Sequence, residues 1–139
     1  MEKRVNTNQA TVLVVDDDAS IRDMIRFVLE KAEMDVQTAA NAHEGLLRIN
    51  EKRPDIILLD WMMPGLSGLE MTRRLRKEPF TQDIPIIMLT VVDQETGIDF
   101  KSSAPDPVWL PVDAYMDKPA RPDVLLSEVK KLLSSKMEK

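Results

Sequence analysis

The sequence predicts an α/β fold, a parallel β-sheet with helices packed on it, and three observations predict it. Short continuous apolar runs recur at Val12 to Val15, Ile56 to Leu59 and Ile86 to Leu89, the pattern of strands covered on both faces. Helical patterns alternate with these runs, which favours parallel strands joined by right-handed crossovers. Carboxylate, hydroxyl or ammonium groups then stand at the ends of several runs, where open α/β sheets bind their ligands.

Each element has its own local cause. Residues 1 to 9, polar and glycine-free, read as a flexible leader, and residues 10 to 137 as one domain. After the first strand, Ile21, Ile25, Val28 and Ala32 share a helical face, with Asp18 or Ala19 where a cap belongs. A weaker strand, Val36 to Ala39, leads to Asn41 and Glu44, spaced as a capping box. Ser67 and Glu70 repeat that spacing after the third strand. The run Ile86 to Leu89 is the fourth strand and Val112 to Met116 a weaker fifth. Between them Gly97, Pro105, Pro107 and Pro111 oppose a long helix. A short helical turn near Asp93 to Thr96 is expected there, followed by an ordered loop whose apolar residues either patch the sheet edge in place of the missing helix or leave Phe100 and Trp109 as candidate partner anchors. Pro122 suits the first turn of a last helix carrying Leu125, Leu126, Val129, Leu132 and Leu133.

Composition removes several function classes. A chain of 139 residues with 43% hydrophobic and 31% charged residues suits a single core. Its net charge of -5 opposes docking on nucleic acid or on an anionic membrane surface. It has no cysteine, so disulfides and thiolate metal sites are excluded and a reducing compartment is natural. No apolar run approaches the roughly 20 residues of a membrane span, and no signal-peptide pattern opens the chain, so a cytoplasmic location is expected. The sequence stops soon after the last helix, and a stand-alone module without an attached output domain is expected.

Asp16 and Asp17 close the first strand and Asp60 the third, so neighbouring strands bring three carboxylates to one edge. Two unit charges about 4 Å apart repel by roughly 4 kcal/mol at an effective dielectric near 20. A hard divalent cation resolves that conflict, and Mg²⁺, content with a few carboxylates and water, suits it better than Ca²⁺. Zinc is disfavoured without cysteine or clustered histidine. Thr90 adds a hydroxyl and Lys118 an ammonium at two further strand ends. A carboxylate nucleophile, a cation, a hydroxyl and an ammonium together suit phosphoryl transfer onto an aspartate. Asp18 reads as a helix cap, His43 as an exposed residue without a second ligand, and Met24 and Met88 as core.

The segments "VLVVDDDASIR", "DIILLDWMMPGLSGLE", "IPIIMLT" and "AYMDKPA", in that order, make residues 10 to 135 resemble the receiver domain of bacterial two-component response regulators. The resemblance implies a doubly wound, flavodoxin-like sheet of five parallel strands in the order 2-1-3-4-5. It implies that Asp60 is the phosphoacceptor, that Asp16 and Asp17 serve Mg²⁺, and that Met62 contributes its backbone carbonyl. Thr90 resembles the hydroxyl that follows the phosphoryl group, Lys118, preceding Pro119, the ammonium that pairs with it, and Tyr115 the aromatic whose rotamer accompanies switching. The implied phosphodonor is a sensor histidine kinase or phosphotransfer protein, and the implied output is a changed partner-binding surface. Such a protein is no turnover enzyme; it catalyses its own phosphorylation and slow dephosphorylation.

Two places depart from the family pattern, Val91 and the stretch before Lys118, and a further pair of positions bears on lifetime. Val91 stands where a small residue is usual. The proline-rich stretch before Lys118 is longer than usual and is expected to replace much of the fourth helix with an atypical loop. Met62 and Val92, flanking the path of attacking water in the family, are both apolar. Two rival readings are a Mg²⁺-dependent phosphohydrolase with Asp60 as nucleophile and a phosphorylation-independent scaffold. Met62 occupies the place of the hydrolase's second carboxylate, and the intact acidic set opposes the scaffold.

Overall fold

The computed structural model describes residues 10–63, 65–90, 112–118 and 121–137. The elements run β1 (Thr11–Val15), α1 (Ala19–Lys31), β2 (Asp35–Ala39), α2 (Ala42–Glu51), β3 (Ile56–Asp60), α3 (Gly68–Lys77), β4 (Ile86–Thr90), β5 (Ala114–Asp117) and α4 (Pro122–Met137). The strands form one parallel sheet in the order β2-β1-β3-β4-β5, the order that the resemblance implied.

Continuous apolar runs make β1, β3 and β4 central because a strand covered on both faces has no solvent side. Alternate residues divide between two layers. Val12, Val14, Ile56, Leu58, Ile87 and Leu89 meet Ile25 and Leu29 of α1 and Leu125, Val129 and Leu133 of α4. Leu13, Val15, Ile57, Leu59, Ile86 and Met88 meet Ile49 of α2 and Met71 and Leu75 of α3. The sheet is therefore doubly wound. Its edge strand β2 mixes exposed Asp35 with buried Val36 and Ala39, which explains its weaker sequence signal.

The helices start where short polar side chains cap them. Asp18 accepts from the Ser20 and Ile21 N–H groups, Asn41 from Glu44 N–H and Ser67 from Glu70 N–H. Glu44 returns the favour one residue early, its Oε1 accepting from Ala40 N–H at 2.7 Å. At the sheet's opposite end, Asp113 Oδ2 accepts from Ile86 N–H at 2.8 Å and from Arg76 Nη2 at 3.1 Å, tying the entry of β5 to β4 and α3.

Boundaries differ from expectation only slightly. Asp60 and Thr90 are the last residues of their strands, whereas Asp16 and Asp17 lie just past β1, and β5 starts at Ala114. The leader over residues 1 to 9 lies outside the described residues, as does the segment of residues 91–111 with its expected turn and loop, Val91, Val92, Phe100 and Trp109.

One contact fixes the β3–α3 connection. A Cβ on Gly68 would lie 2.3 Å from the Asp60 carbonyl oxygen, an atom that cannot yield without moving β3. Gly68→Ala is therefore expected to destabilise the fold by about 1–3 kcal/mol, the usual size of an overpacking penalty. Urea unfolding measures it, and an unchanged midpoint would contradict the packing.

Candidate functional site

Four side chains meet beyond the carboxyl ends of β1, β3 and β5. Asp16 is fully buried, its N–H donating to the Ala39 carbonyl at 3.1 Å and its Oδ1 accepting from Asp18 N–H at 2.9 Å. Asp60 is 4% exposed, and its Oδ1 accepts from Met62 N–H at 3.3 Å. The Lys118 N–H donates to the Thr90 carbonyl at 2.7 Å, which carries the β4–β5 pairing onward and aims the chain back into the site. Its ammonium then lies 2.7 Å from Asp16 Oδ2 and 3.0 Å from Asp60 Oδ1. Asp17 is exposed at the rim. Carboxylate oxygens of Asp16, Asp17 and Asp60 all lie within 4.8 Å of one another. Asp17, Asp60 and Lys118 line a cleft of about 400 Å³ together with Ile21, Trp61 and Met62, and Asp16 lies buried behind them.

Electrostatics make this cluster unstable as three free carboxylates. Burial pushes Asp60 up to about 6, and the Asp16 charge adds to it, while the Lys118 ammonium and the Met62 N–H oppose the rise. Burial by itself would lower Lys118, but Asp16 and Asp60 outweigh it and hold the ammonium above its ordinary range. Among the described residues, one ammonium against these three carboxylates leaves two negative charges over. An all-oxygen donor set of this kind fits Mg²⁺. Thr90 Oγ1 is buried and finds no hydrogen-bond partner among the described residues, so a donor stands spare at the adjoining strand end.

The other predicted residues are placed as follows. Met62 offers its N–H to Asp60, and its side chain is 67% exposed at the cleft. Tyr115 lies on β5 opposite Met88, half-buried on the α2/α3 side, and burial raises its phenol. His43 is exposed, Met88 is core, and Met24 packs on the core. Pro119, Phe100 and Trp109 lie outside the described residues.

Two residues at the site are absent from the sequence reading. Arg22, in the first turns of α1, folds back so that Nη1 donates to the Asp16 carbonyl at 2.7 Å. Gly68 brings α3 onto the Asp60 backbone, and Gly65 supplies a φ of 78° in the same loop. A glycine at the first position of a helix was the available signal for Gly68, since helix interiors disfavour it. Arg22 gave none, because its role depends on a side chain reaching back six residues.

Residues 12–130 match the response regulator receiver domain family. The chain is 42% identical over 123 residues to the phosphate regulon transcriptional regulatory protein PhoB of Pseudomonas aeruginosa, covering 88% of this chain and 51% of that protein. It is 36% identical over 126 residues to the alkaline phosphatase synthesis transcriptional regulatory protein PhoP of Bacillus subtilis, covering 88% and 48%. The chain thus spans about half the length of these curated relatives. Among solved structures, the chemotaxis protein CheY4 of Vibrio cholerae matches with a TM-score of 0.76 at 29% identity, covering 88% of this chain and 98% of that one.

The raised Asp60 carboxyl has a consequence for stability. The folded protein holds this proton more tightly than the unfolded chain, so without metal its stability falls as pH rises from the ordinary 3.8 to about 6. The full penalty stands above that window. Asp60→Asn, neutral at every pH, is therefore expected to be more stable than wild type at pH 7 in EDTA by about 1–3 kcal/mol. The gain shrinks towards pH 4. Urea unfolding at both pH values checks it, and a variant less stable than wild type at pH 7 would contradict the account.

Proposed function

The chain belongs to the response regulator receiver domain family, and from that premise we propose that Asp60 accepts a phosphoryl group from a sensor histidine kinase or phosphotransfer protein in a Mg²⁺-dependent reaction. The observation that carries the reading is the meeting of Asp16, Asp17, Asp60 and Lys118 at one cleft. The proposed setting is the cytoplasm, in keeping with the cysteine-free composition, and no described helix is long and apolar enough to cross a membrane.

The chain's own groups divide the work. Lys118 and the Met62 N–H both engage Asp60 Oδ1, which leaves Oδ2 clear of these contacts for attack on phosphorus. Lys118, between Asp16 and Asp60, is within reach of an incoming phosphoryl oxygen and supplies a fixed positive charge in a largely buried site. Thr90 supplies the spare hydroxyl. Asp16, Asp17 and Asp60, with the Met62 carbonyl, would hold Mg²⁺, whose charge when bound offsets that developing on the transferred phosphoryl oxygens.

The new dianion then biases a two-state equilibrium towards the arrangement in which Thr90 and Lys118 close on it. Tyr115 follows that movement from the neighbouring strand, and Phe100 and Trp109, in the segment between Thr90 and Tyr115, are the proposed partner anchors. The product is a changed binding surface rather than a released molecule.

Incubation with Mg²⁺ and acetyl phosphate, followed by intact mass, is expected to show one added phosphoryl group in wild type and none in Asp60→Asn or in EDTA. Wild-type yield in Asp60→Asn would overturn the assignment. Met62, apolar at the mouth of the cleft, has no group that orients an attacking water. Phosphoryl loss is accordingly expected to be slow, and Met62→Asn to speed it several-fold, as read from the decay of the phosphorylated mass. Identical decay curves would contradict this role.

A further inference from the structure

The three clustered carboxylates are not held equally. Asp16 is fixed at its carboxylate by Asp18 N–H and by Lys118, and Asp60 by Met62 N–H and by Lys118. The exposed Asp17 side chain makes no hydrogen bond or ion pair among the described residues. Its direction is therefore set by the backbone on either side of it. That backbone is pinned at the Asp16–Asp17 peptide, whose carbonyl accepts from Arg22 Nη1 at 2.7 Å in a part-buried contact. Arg22 is itself anchored in α1, its N–H donating to the Asp18 carbonyl at 3.1 Å. A rotation of this peptide plane would swing the Asp17 carboxylate away from the other two, and Arg22 is the side chain that resists it.

We propose that Arg22 is a positioning residue for the cation site: by clamping the Asp16 carbonyl it aims the Asp17 carboxylate at Mg²⁺. The inference rests on the reading of Asp16, Asp17 and Asp60 as the Mg²⁺ ligands, and it separates cleanly from a purely electrostatic role. A guanidinium near a cation site repels the cation, so charge alone predicts tighter Mg²⁺ binding once Arg22 is removed. Positioning predicts weaker binding. The signs are opposite.

The test is the Mg²⁺ dissociation constant from amide NMR shifts during titration with MgCl₂, for wild type, Arg22→Ala, Arg22→Lys, Asp17→Ala and the double variant Asp17→Ala/Arg22→Ala. Arg22→Ala is expected to bind about tenfold more weakly, the scale on which supporting groups act on metal sites. Arg22→Lys, which keeps an N–H donor on a long stem, is expected to recover most of that loss. In the Asp17→Ala background the further removal of Arg22 is expected to change affinity by less than about twofold, because the group that it positions is gone. If Arg22→Ala fails to fold, Arg22→Met keeps the apolar stem and carries the same test. Binding by Arg22→Ala as tight as or tighter than wild type overturns the proposal, and so does a full loss that persists in the Asp17→Ala background. Wild-type protein that does not bind Mg²⁺ instead overturns the underlying ligand assignment.

Discussion

The Lys118 ammonium, set between Asp16 at 2.7 Å and Asp60 at 3.0 Å, is the interaction on which the site depends. Removing charges from water is costly, and a buried ion pair repays that cost only when its geometry is good and its remaining valences are met. The chain meets part of these valences, with Asp18 N–H at Asp16 Oδ1 and Met62 N–H at Asp60 Oδ1, and leaves Asp60 Oδ2 clear of both N–H groups and of Lys118. Yet among the described residues one cation serves three carboxylates, so the cluster keeps an excess of negative charge, while burial, with the Asp16 charge added to it, raises the Asp60 carboxyl. Under the proposed function, that excess charge is what a divalent ion, and through it a phosphoryl group, would meet at the site.

The rest of the molecule keeps this charged edge in register. Parallel pairing places Asp60 beside Leu89 and Thr90 beside Asp117, so the carboxyl ends of β3, β4 and β5 finish within one residue of one another. Both faces of the sheet are covered by apolar layers, which leaves the strands little freedom to shift. Gly68 lets α3 rest on the Asp60 backbone, and at the far end Asp113 and Arg76 join β5 to β4. The candidate site groups sit at the last residues of the strands or just past them, where the sheet holds the backbone rigid.

Much of this was legible in the sequence, for identifiable reasons. β1, β3 and β4 stood out because strands buried on both sides must be apolar throughout, while β2 at the edge was diluted by Asp35 and Gln37. Asp18, Asn41 and Ser67 could be read as caps because capping is local. Asp16, Asp17, Asp60 and Lys118 could be gathered at one edge because a parallel sheet aligns its strand ends. The Arg22 clamp, the contact of Gly68 with the Asp60 carbonyl and the Arg76–Asp113 pair could not, since each depends on where a side chain or backbone lands after folding.

Under the proposed function, the acidic edge is under-neutralised and is completed by a divalent cation. The most direct measurement is thermal unfolding of the wild-type protein at pH 7 across a series of MgCl₂ concentrations, against EDTA at matched ionic strength. A ligand that binds only the folded state raises the midpoint progressively as its concentration passes the dissociation constant. Mg²⁺ is expected to give such a rise and NaCl of equal ionic strength none; a midpoint that is the same in Mg²⁺ and in EDTA would contradict completion of the edge by the cation.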